Sequence, residues 1–307
     1  MIYNSAIDLI GKTPIVRLNK IKDKYSLCGN IFAKLEYLNP QGSIKDRVAY
    51  NMIISAEREG TLKAGGSIIE ATSGNTGIGL AFCANLLGYK AIIVMPDSMS
   101  VERINIIKAL GGEVVLTDGS LGMSGAIQKA EEIRQNTPNS IIAGQFENCA
   151  NPEAHVFTTA PEIYDDMNGE IDIFVCGIGT GGTVSGVGGY LKSKSNDIKV
   201  IGVEPYSSPY LTEGRSGAHG IQGIGAGFKP EVLDKSVIDD IMTVTDEDAI
   251  ATAKALGTTE GILCGISSGA ALAAAIKLAQ MDENSGKNIV VILPDSADRY
   301  YSTELFK

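Results

Sequence analysis

The chain has 307 residues, 44% of them apolar, and a formal net charge of -10. This length suits one large domain or two moderate ones, and the ordinary apolar fraction argues against coiled-coil and fibrous proteins. Lys and Arg nowhere form a run that could follow phosphates, and no uncharged apolar segment approaches the ~20 residues of a membrane-spanning helix. We therefore expect a cytoplasmic protein with no nucleic-acid partner and no membrane association.

The cysteines and histidines predict neither disulfides nor a metal site. Five cysteines are scattered along the chain, and an odd, dispersed set forms no disulfide framework, so we interpret them as reduced and mostly buried. The two histidines, His155 and His219, lie far apart and have no Cys or His at ligand spacing. A zinc site is therefore not expected. The cysteines are Cys28, Cys83, Cys149, Cys176 and Cys264.

Short β-branched runs alternate with longer helical patterns along almost the whole chain. Strands are predicted at 31–37, 67–71, 90–95, 113–116, 140–143, 171–178, 198–203 and 288–293. Apolar residues at three- and four-residue spacing predict helices at 46–59, 75–87, 101–110, 123–135, 152–167, 183–194, 246–256 and 268–281. The fold class is therefore α/β with parallel sheets, and ligands are expected where strands end and helices begin.

The first segment with a chemical signature is the turn Asn39–Arg47, which leads into a helix. Ser43 and Asp46 have the spacing of a capping box, which places Lys45 in the first helical turn. The helix dipole disfavours a cation there and so helps to keep the amine neutral, as a nucleophile that forms a Schiff base requires. A solvated surface lysine would explain the same position, so position alone leaves both interpretations open.

The second segment, Glu70–Gly77, joins a strand to an apolar helix. Thr72 and Ser73 are good capping residues, and the amides of the following turn could accept a small anion such as a carboxylate. An ordinary capped helix would explain one hydroxyl and one glycine. It does not explain three hydroxyls, an amide and two glycines within the six residues 72–77.

The third segment, Gly177–Thr183, follows an apolar strand and opens a helix. Its glycines, helix-start amides and threonine hydroxyls suit a phosphate. The segment also fits G-x-G-x-x-G, and Glu204 ends the next strand about 20 residues on, as a ribose-binding acid would. An NAD-binding oxidoreductase is therefore an alternative. The NAD-binding alternative gives no function to the segments around Lys45 and Asn75. In addition, hydroxyls beside glycines suit a terminal monophosphate better than a pyrophosphate.

The fourth segment, Gly261–Gly269, again leads from a loop into a helix. Two serines, Ser267 and Ser268, stand at the helix start. Considered alone, this pair is interpreted as helix caps.

Together, the four segments resemble the cysteine synthases, the O-acetylserine sulfhydrylases of the tryptophan synthase β-like (fold type II) pyridoxal-phosphate enzymes. The resemblance covers nearly the whole chain and includes several long motifs in the same order. The further motifs are Ile10–Asn19, Met95–Pro96, Met99–Ser100 with Glu102–Arg103, Gln145–Asn148, Ile221–Phe228 and Pro294–Ser296.

The resemblance implies a role for each site residue. Lys45 would hold pyridoxal 5'-phosphate as the internal aldimine and later take the α-proton of the substrate. Asn75 would bond the ring oxygen of the cofactor, and Ser267, in preference to Ser268, would face its pyridine nitrogen. The phosphate would be held by Gly179, Thr180, Gly181, Gly182 and Thr183. The substrate would be bound by Thr72, Ser73, Gly74, Thr76, Gln145 and Gly223.

The resemblance also implies the fold, the reaction and the assembly. Each of two domains would have a mainly parallel twisted sheet flanked by helices: a smaller, mobile domain at 36–145, and a larger one, which binds the cofactor phosphate, at 1–35 plus 146–307. The enzyme would make L-cysteine from O-acetyl-L-serine and sulfide through enzyme-bound α-aminoacrylate, as a homodimer.

Several related reactions remain open. An O-phosphoserine sulfhydrylase is one, and Arg215 would suit its acidic substrate. A cystathionine β-synthase is another, although those enzymes tend to carry Tyr-Asp where this chain has Ala226-Gly227. A third converts cysteine to lanthionine with release of sulfide. A catalytically idle relative that senses an amino acid is a further alternative.

One motif departs from the family pattern. Relatives usually read Gly-Pro-His-Lys where this chain has Gly217-Ala218-His219-Gly220, which lacks the proline and the lysine. In this family, serine acetyltransferase docks its C-terminal tail near that region. The departure argues against serine acetyltransferase as a partner.

Overall fold

The computed structural model describes residues 2–98 and 101–307. The motif residues Met99 and Ser100 lie outside the described residues. The chain forms two compact units: the first comprises the described residues of Met1–Ile10 and Asn39–Asn151, and the second comprises Gly11–Leu38 and Pro152–Lys307. These ranges differ from the predicted 36–145 and 1–35 plus 146–307 mainly at the N-terminus, because Ile7 and Ile10 pack against the core of the first unit.

The strands and helices alternate along the chain. The strands are β1 (Ile15–Arg17), β2 (Asn30–Leu35), β3 (Ser67–Ala71), β4 (Lys90–Pro96), β5 (Glu113–Thr117), β6 (Ser140–Ile142), β7 (Ile173–Gly177), β8 (Lys199–Pro205), β9 (Asp240–Val244) and β10 (Asn288–Leu293). The helices are α1 (Asn19–Tyr25), α2 (Lys45–Arg58), α3 (Asn75–Leu87), α4 (Val101–Ala109), α5 (Gly122–Asn136), α6 (Ala150–Ala154), α7 (Ala160–Asp166), α8 (Gly182–Lys194), α9 (Tyr210–Glu213), α10 (Asp246–Glu260) and α11 (Ile266–Ala279). Short 3₁₀ segments lie at Ala6–Leu9, Glu36–Leu38, Gly119–Leu121, Lys235–Val237, Asp282–Asn284 and Ala297–Tyr300.

The first unit is built on a parallel sheet with the strand order β5-β4-β3-β6. Successive residues of β3 point to opposite faces of this sheet. Ile68 belongs to the core formed with α2 and α3, whereas Ile69 belongs to the core formed with α5. Helices therefore cover both faces, as the apolar strand predicted.

The second unit has a six-stranded sheet with the order β1-β2-β10-β7-β8-β9. Only the β1–β2 pair is antiparallel among the pairings of this sheet. The alanine-rich α11 is buried along nearly its whole length and contributes much of the core. The predicted α/β class with mainly parallel sheets is thus confirmed.

One predicted helix contains an interruption. The segment predicted as a single helix at 152–167 consists of α6, a π-helical turn at His155–Thr159, and α7.

No helix in the described part of the chain combines the length and apolar character needed to cross a membrane.

A buried lysine ties the strands of the second unit to α7. Lys34 on β2 is fully buried, and its Nζ lies 2.6 Å from the Thr13 carbonyl oxygen, 3.0 Å from Glu162 and 3.3 Å from Asp166. The cation is desolvated, so these three oxygens must replace its water.

Replacing Lys34 with alanine is expected to lower the free energy of unfolding by about 2–4 kcal/mol, because a buried ion pair loses one partner. Replacing Lys129, whose pair with Glu132 is exposed, should cost less than about 1 kcal/mol. Denaturant unfolding of both variants measures the difference. Equal losses would contradict this account of Lys34.

Candidate active site

Lys45 is the first residue of α2 and lies in the first helical turn, as predicted, although the N-cap is Ile44 and the expected capping box of Ser43 and Asp46 does not form. Its backbone N–H donates to Ser43 Oγ at 3.2 Å, and Asp46 accepts the Gln41 N–H at 2.6 Å. The Lys45 carbonyl lies against α3, where a Cβ added at Gly79 would come within 3.0 Å of it. The start of α2 is therefore held on two sides, which fixes where the lysine side chain originates.

The environment of Lys45 favours a neutral amine. Burial lowers the pKa of Lys45 to about 8, and the carboxylate of Glu70 opposes part of this shift. Desolvation penalises the charged form of an amine, whereas a nearby negative charge favours it. Burial therefore acts in the same direction as the helix dipole, which also disfavours a cation at this position.

The segment around Asn75 forms the start of α3. The N-cap is Gly74, which has no side chain to occupy the first-turn amides, and Thr72 Oγ1 accepts the Gly74 N–H at 3.3 Å. Thr72 and Ser73 are thus not the helix caps that an ordinary capped helix would require. A 13-residue helix that opens on a glycine and hydroxyl residues suits a small anion.

Gln145 joins this segment from the end of β6. Thr76 Oγ1 donates to Gln145 Oε1 at 2.6 Å, and Asn151 Nδ2 donates to the Gln145 carbonyl oxygen at 2.7 Å. Thr76 and Gln145 are both buried. The first unit therefore brings together two of the predicted substrate-binding residues, which are 69 positions apart in the chain.

Glu70 is a residue of this site to which the sequence analysis gave no role. It is 3% exposed, accepts the Gly144 N–H at 2.8 Å and the Gln145 N–H at 3.4 Å, and interacts with the charge of Lys45. A signal was present in the sequence: an acidic residue near the end of an otherwise apolar buried strand needs a partner.

The glycine-rich segment of the second unit runs from β7 into α8. Gly181, the N-cap of α8, has a φ of 84°, which favours glycine, and Thr180 Oγ1 accepts the Gly182 N–H at 3.4 Å. The hydroxyl of Thr183 lies 3.3 Å from Nε2 of the buried His155. Backbone amides and two hydroxyls thus gather at one helix start, as a phosphate requires.

Gly179, Gly223 and Ser267 form one cradle in the second unit. A Cβ added at Gly179 would collide with the Gly223 carbonyl oxygen, and a Cβ added at Gly223 would lie 3.7 Å from Ser267 Oγ. Side chains at these two glycines would fill the space in front of the serine. The cradle, the glycine-rich helix start and a hydroxyl that can face a ring nitrogen fit pyridoxal phosphate.

The two serines at the start of α11 have different surroundings. The N-cap of α11 is Gly265, with no side-chain cap, so neither serine is the N-cap that was expected for an isolated pair. Ser268 is completely buried beside the Cys264 thiol, whereas Ser267 faces Gly223. This arrangement favours Ser267 over Ser268 as the cofactor contact.

Glu204 does not have the surroundings expected of a ribose-binding acid. Its buried carboxylate accepts the Leu211 N–H at 2.9 Å, the Thr212 N–H at 3.1 Å and the Thr212 hydroxyl at 2.5 Å. These three bonds hold the start of α9. The acid therefore has a structural task, and the NAD-binding alternative loses its main support.

The comparisons with known proteins agree with this chemistry. Residues 6–295 match the family described as "Pyridoxal-phosphate dependent enzyme". Cysteine synthase A of Salmonella typhi is 50% identical over 99% of this chain and 96% of its own length. A cysteine synthase structure from Entamoeba histolytica is 46% identical with a TM-score of 0.96, covering 100% of this chain and 91% of that one. The structure of a hydrogen sulfide-producing enzyme from Fusobacterium nucleatum is 48% identical with a TM-score of 0.93. The match covers 97% of this chain and 100% of that one. A match along almost the entire chain, which includes Lys45 and the glycine-rich helix start, means that the chain belongs to the family of pyridoxal-phosphate-dependent enzymes.

Proposed function

We propose that the protein is a cysteine synthase, which makes L-cysteine from O-acetyl-L-serine and sulfide with pyridoxal 5'-phosphate as cofactor. The observation that carries this proposal is 50% identity to cysteine synthase A over nearly the full length of both chains. When bound, the cofactor supplies an electron sink, which allows acetate to leave the β-carbon and sulfide to take its place.

Residues of the first unit handle the substrate in this proposal. Lys45 binds the cofactor and then moves the α-proton, a role that requires an amine with a lowered pKa. The helix start at Ser73–Thr76 and the amide of Gln145 bind the substrate carboxylate, and Asn75 contacts the cofactor. This assignment is supported by the contact between Thr76 and Gln145 and by the glycine N-cap of α3.

Residues of the second unit hold the cofactor in this proposal. The amides and hydroxyls of Gly179–Thr183 bind its phosphate, and Gly223 leaves room in front of Ser267. Ser267 offers a neutral hydroxyl to the ring nitrogen and thus moderates the electron sink. A moderate sink favours prompt loss of the β-substituent.

The structure gives little support to an acidic first substrate or to a bulky thiol as the second substrate. Arg215 pairs with Glu213 at 3.0 Å, and both side chains are 54% exposed, so the arginine charge is already balanced in solvent. Gly227 has a φ of 77°, and the Ala226-Gly227 pair offers no acidic side chain that could activate a thiol. O-phosphoserine and homocysteine-type substrates are therefore less suitable than O-acetylserine and sulfide.

A second candidate function is release of sulfide from cysteine with formation of lanthionine. The observation in its favour is the 48% identity to the hydrogen sulfide-producing enzyme of Fusobacterium nucleatum. Both reactions would use the same lysine and the same carboxylate site. They differ in the group that leaves the β-carbon, which is acetate or sulfide, and in the nucleophile that replaces it, which is sulfide or the thiol of a second cysteine.

The four candidate donors separate these functions. O-acetylserine, O-phosphoserine, serine and cysteine are each added to the holoenzyme, first alone and then with sulfide, while the cofactor absorbance and the products are recorded. We expect O-acetylserine with sulfide to give cysteine at the highest rate. A higher rate of sulfide release from cysteine would overturn the biosynthetic assignment.

The lowered pKa of Lys45 predicts how cofactor loading depends on pH. At pH 7.5 an amine of pKa about 8 is about one quarter neutral, against about 0.1% for an ordinary lysine of pKa 10.5. The rate at which apoenzyme binds pyridoxal phosphate covalently should rise with pH and level off above about pH 8. Absorbance after mixing measures this rate. A rate that keeps rising tenfold per pH unit up to pH 10 would contradict the shift.

We also infer a homodimer in the cytoplasm. The five cysteines are free, and Cys149 is exposed, which suits a reducing compartment. Sedimentation of the purified protein tests the dimer.

Serine acetyltransferase is not proposed as a partner, because the segment 217–220 lacks the usual lysine and its Gly220 N–H donates to Asp246.

A further inference from the structure

We propose that Glu70 is a positioning residue, which holds the turn that carries Gln145 and so places the side-chain amide of Gln145 for the substrate carboxylate. The inference rests on the proposed function, since it assumes that Gln145 binds that carboxylate. It concerns a residue that does not itself contact the substrate. All the groups it involves belong to the first unit.

The strand register places Glu70 beneath the turn that carries Gln145. β3 and β6 are parallel neighbours, with Ile69 opposite Ile142, so both strands end at the same edge of the sheet. Glu70 follows Ile69 within β3, and the turn after β6 begins just beyond Ile142. The two backbone N–H groups of Gly144 and Gln145 both donate to its carboxylate, at 2.8 and 3.4 Å.

The bonds to Glu70 fix the backbone from which the Gln145 side chain extends. The amide oxygen of that side chain accepts the Thr76 hydroxyl at 2.6 Å. The amide nitrogen carries two N–H donors and can bind a carboxylate of the substrate.

The surroundings of Glu70 have opposing effects on the pKa of its carboxyl group. Burial raises the pKa of Glu70 to about 7, the N–H donors of Gly144 and Gln145 oppose the rise, and the exposed Glu147 adds to it. Lys45, on α2, is the cation that faces it. The ionised form of Glu70 has two acceptor oxygens for the two N–H groups of the turn.

The test compares Glu70→Gln with the matched control Glu147→Gln in the holoenzyme. Both changes remove one negative charge, but only Glu70 bonds Gln145. Glu70→Gln should raise KM for O-acetylserine about tenfold or more, the usual effect of losing a charge-assisted hydrogen bond, with KM for sulfide unchanged. Glu147→Gln should leave both values within about twofold, since exposed charges contribute little.

A double-mutant cycle separates positioning from a general structural role. If Glu70 acts through Gln145, adding Glu70→Gln to Gln145→Ala should raise KM no further. An equal rise in both backgrounds, or no rise in the wild-type background, would overturn the proposal. Should Glu70→Gln fold poorly, Glu70→Asp keeps the charge and shortens the reach. It must then also raise KM, and an unchanged KM would overturn the proposal equally.

Binding of L-alanine distinguishes failure of this inference from failure of the proposed function. L-alanine keeps the amine and carboxylate of the substrate and has no β-leaving group, so its Kd, from the change in cofactor absorbance, reports amino-acid binding without elimination. An enzyme inactive with O-acetylserine would refute the proposed function. The Glu70 inference would then stand or fall on whether Glu70→Gln weakens L-alanine binding about tenfold while Glu147→Gln does not.

Discussion

Replacing Lys45 with alanine is expected to lower kcat/KM for O-acetylserine by at least about 10²–10⁴-fold, the usual contribution of a positioned acid-base group. In the proposed function, the variant loses both the amine that binds the cofactor and the base that takes the α-proton. It should also lose covalent labelling, so borohydride treatment followed by denaturation should leave pyridoxal phosphate attached to the wild-type chain only. Steady-state kinetics and mass spectrometry of the reduced protein measure the two effects.

Lys63 provides the matched control, because it belongs to the same unit and its side chain is exposed. Lys63→Ala should keep full activity and normal labelling. Full activity in Lys45→Ala, or covalent cofactor on another lysine of the wild-type protein, would refute the proposed role of Lys45. The folding of Lys45→Ala can be checked by its far-UV spectrum.

The strands and helices that alternate regularly could be predicted from the sequence because they bury apolar residues at regular spacing. Every predicted strand corresponds to a strand of the structure, and β3, α3 and β10 have the predicted bounds. The missed elements carry a weaker apolar signal. In β9 only Val244 is buried, and in α1 only Ile21 is buried, so neither segment shows the pattern of a core element.

The site residues could be predicted from the sequence where their function requires an unusual local composition. Lys45, Asn75 and the glycines after β7 all occur at helix starts, which are recognisable in a single segment. Glu70 could not be given a specific role in this way, because the role proposed for it depends on the pairing of β3 with β6. That pairing brings together residues more than 70 positions apart, so no local pattern contains it.

The orientation of charged side chains was equally inaccessible from the sequence. Glu204 has the spacing of a ribose-binding acid, yet its carboxylate holds the first residues of α9. Arg215 is placed to suggest an acidic substrate, yet it pairs with Glu213 in solvent. A motif gives the type of residue and its distance along the chain. The partner of a charge depends on the tertiary structure.

Replacing Gly179 with alanine should weaken the binding of pyridoxal phosphate by about 10- to 100-fold, because a small misplacement of a binding group has effects of this size. The new methyl group would collide with the carbonyl oxygen of Gly223. Gly223 has a φ of 98°, a conformation that only glycine adopts readily. The collision can therefore be relieved only if the whole loop that contains Gly223 shifts. That movement would displace the segment in front of Ser267. We also expect a loss of about 1–3 kcal/mol in the free energy of unfolding, as for an overpacked core.

Gly189→Ala is the matched control for Gly179→Ala. Gly189 belongs to α8, the helix that the glycine-rich segment opens, and a Cβ added there would meet only Val237, at 3.8 Å. Alanine should therefore be tolerated, and its higher helix propensity should stabilise the protein by up to about 1 kcal/mol. Dialysis followed by the absorbance of the retained cofactor gives the affinity of each variant, and denaturant unfolding gives its stability. Equal cofactor retention in the two variants would show that the close approach of Gly179 to Gly223 does not shape the phosphate site. Loss in Gly179→Ala alone would show that binding of the cofactor depends on the absence of a side chain at this position.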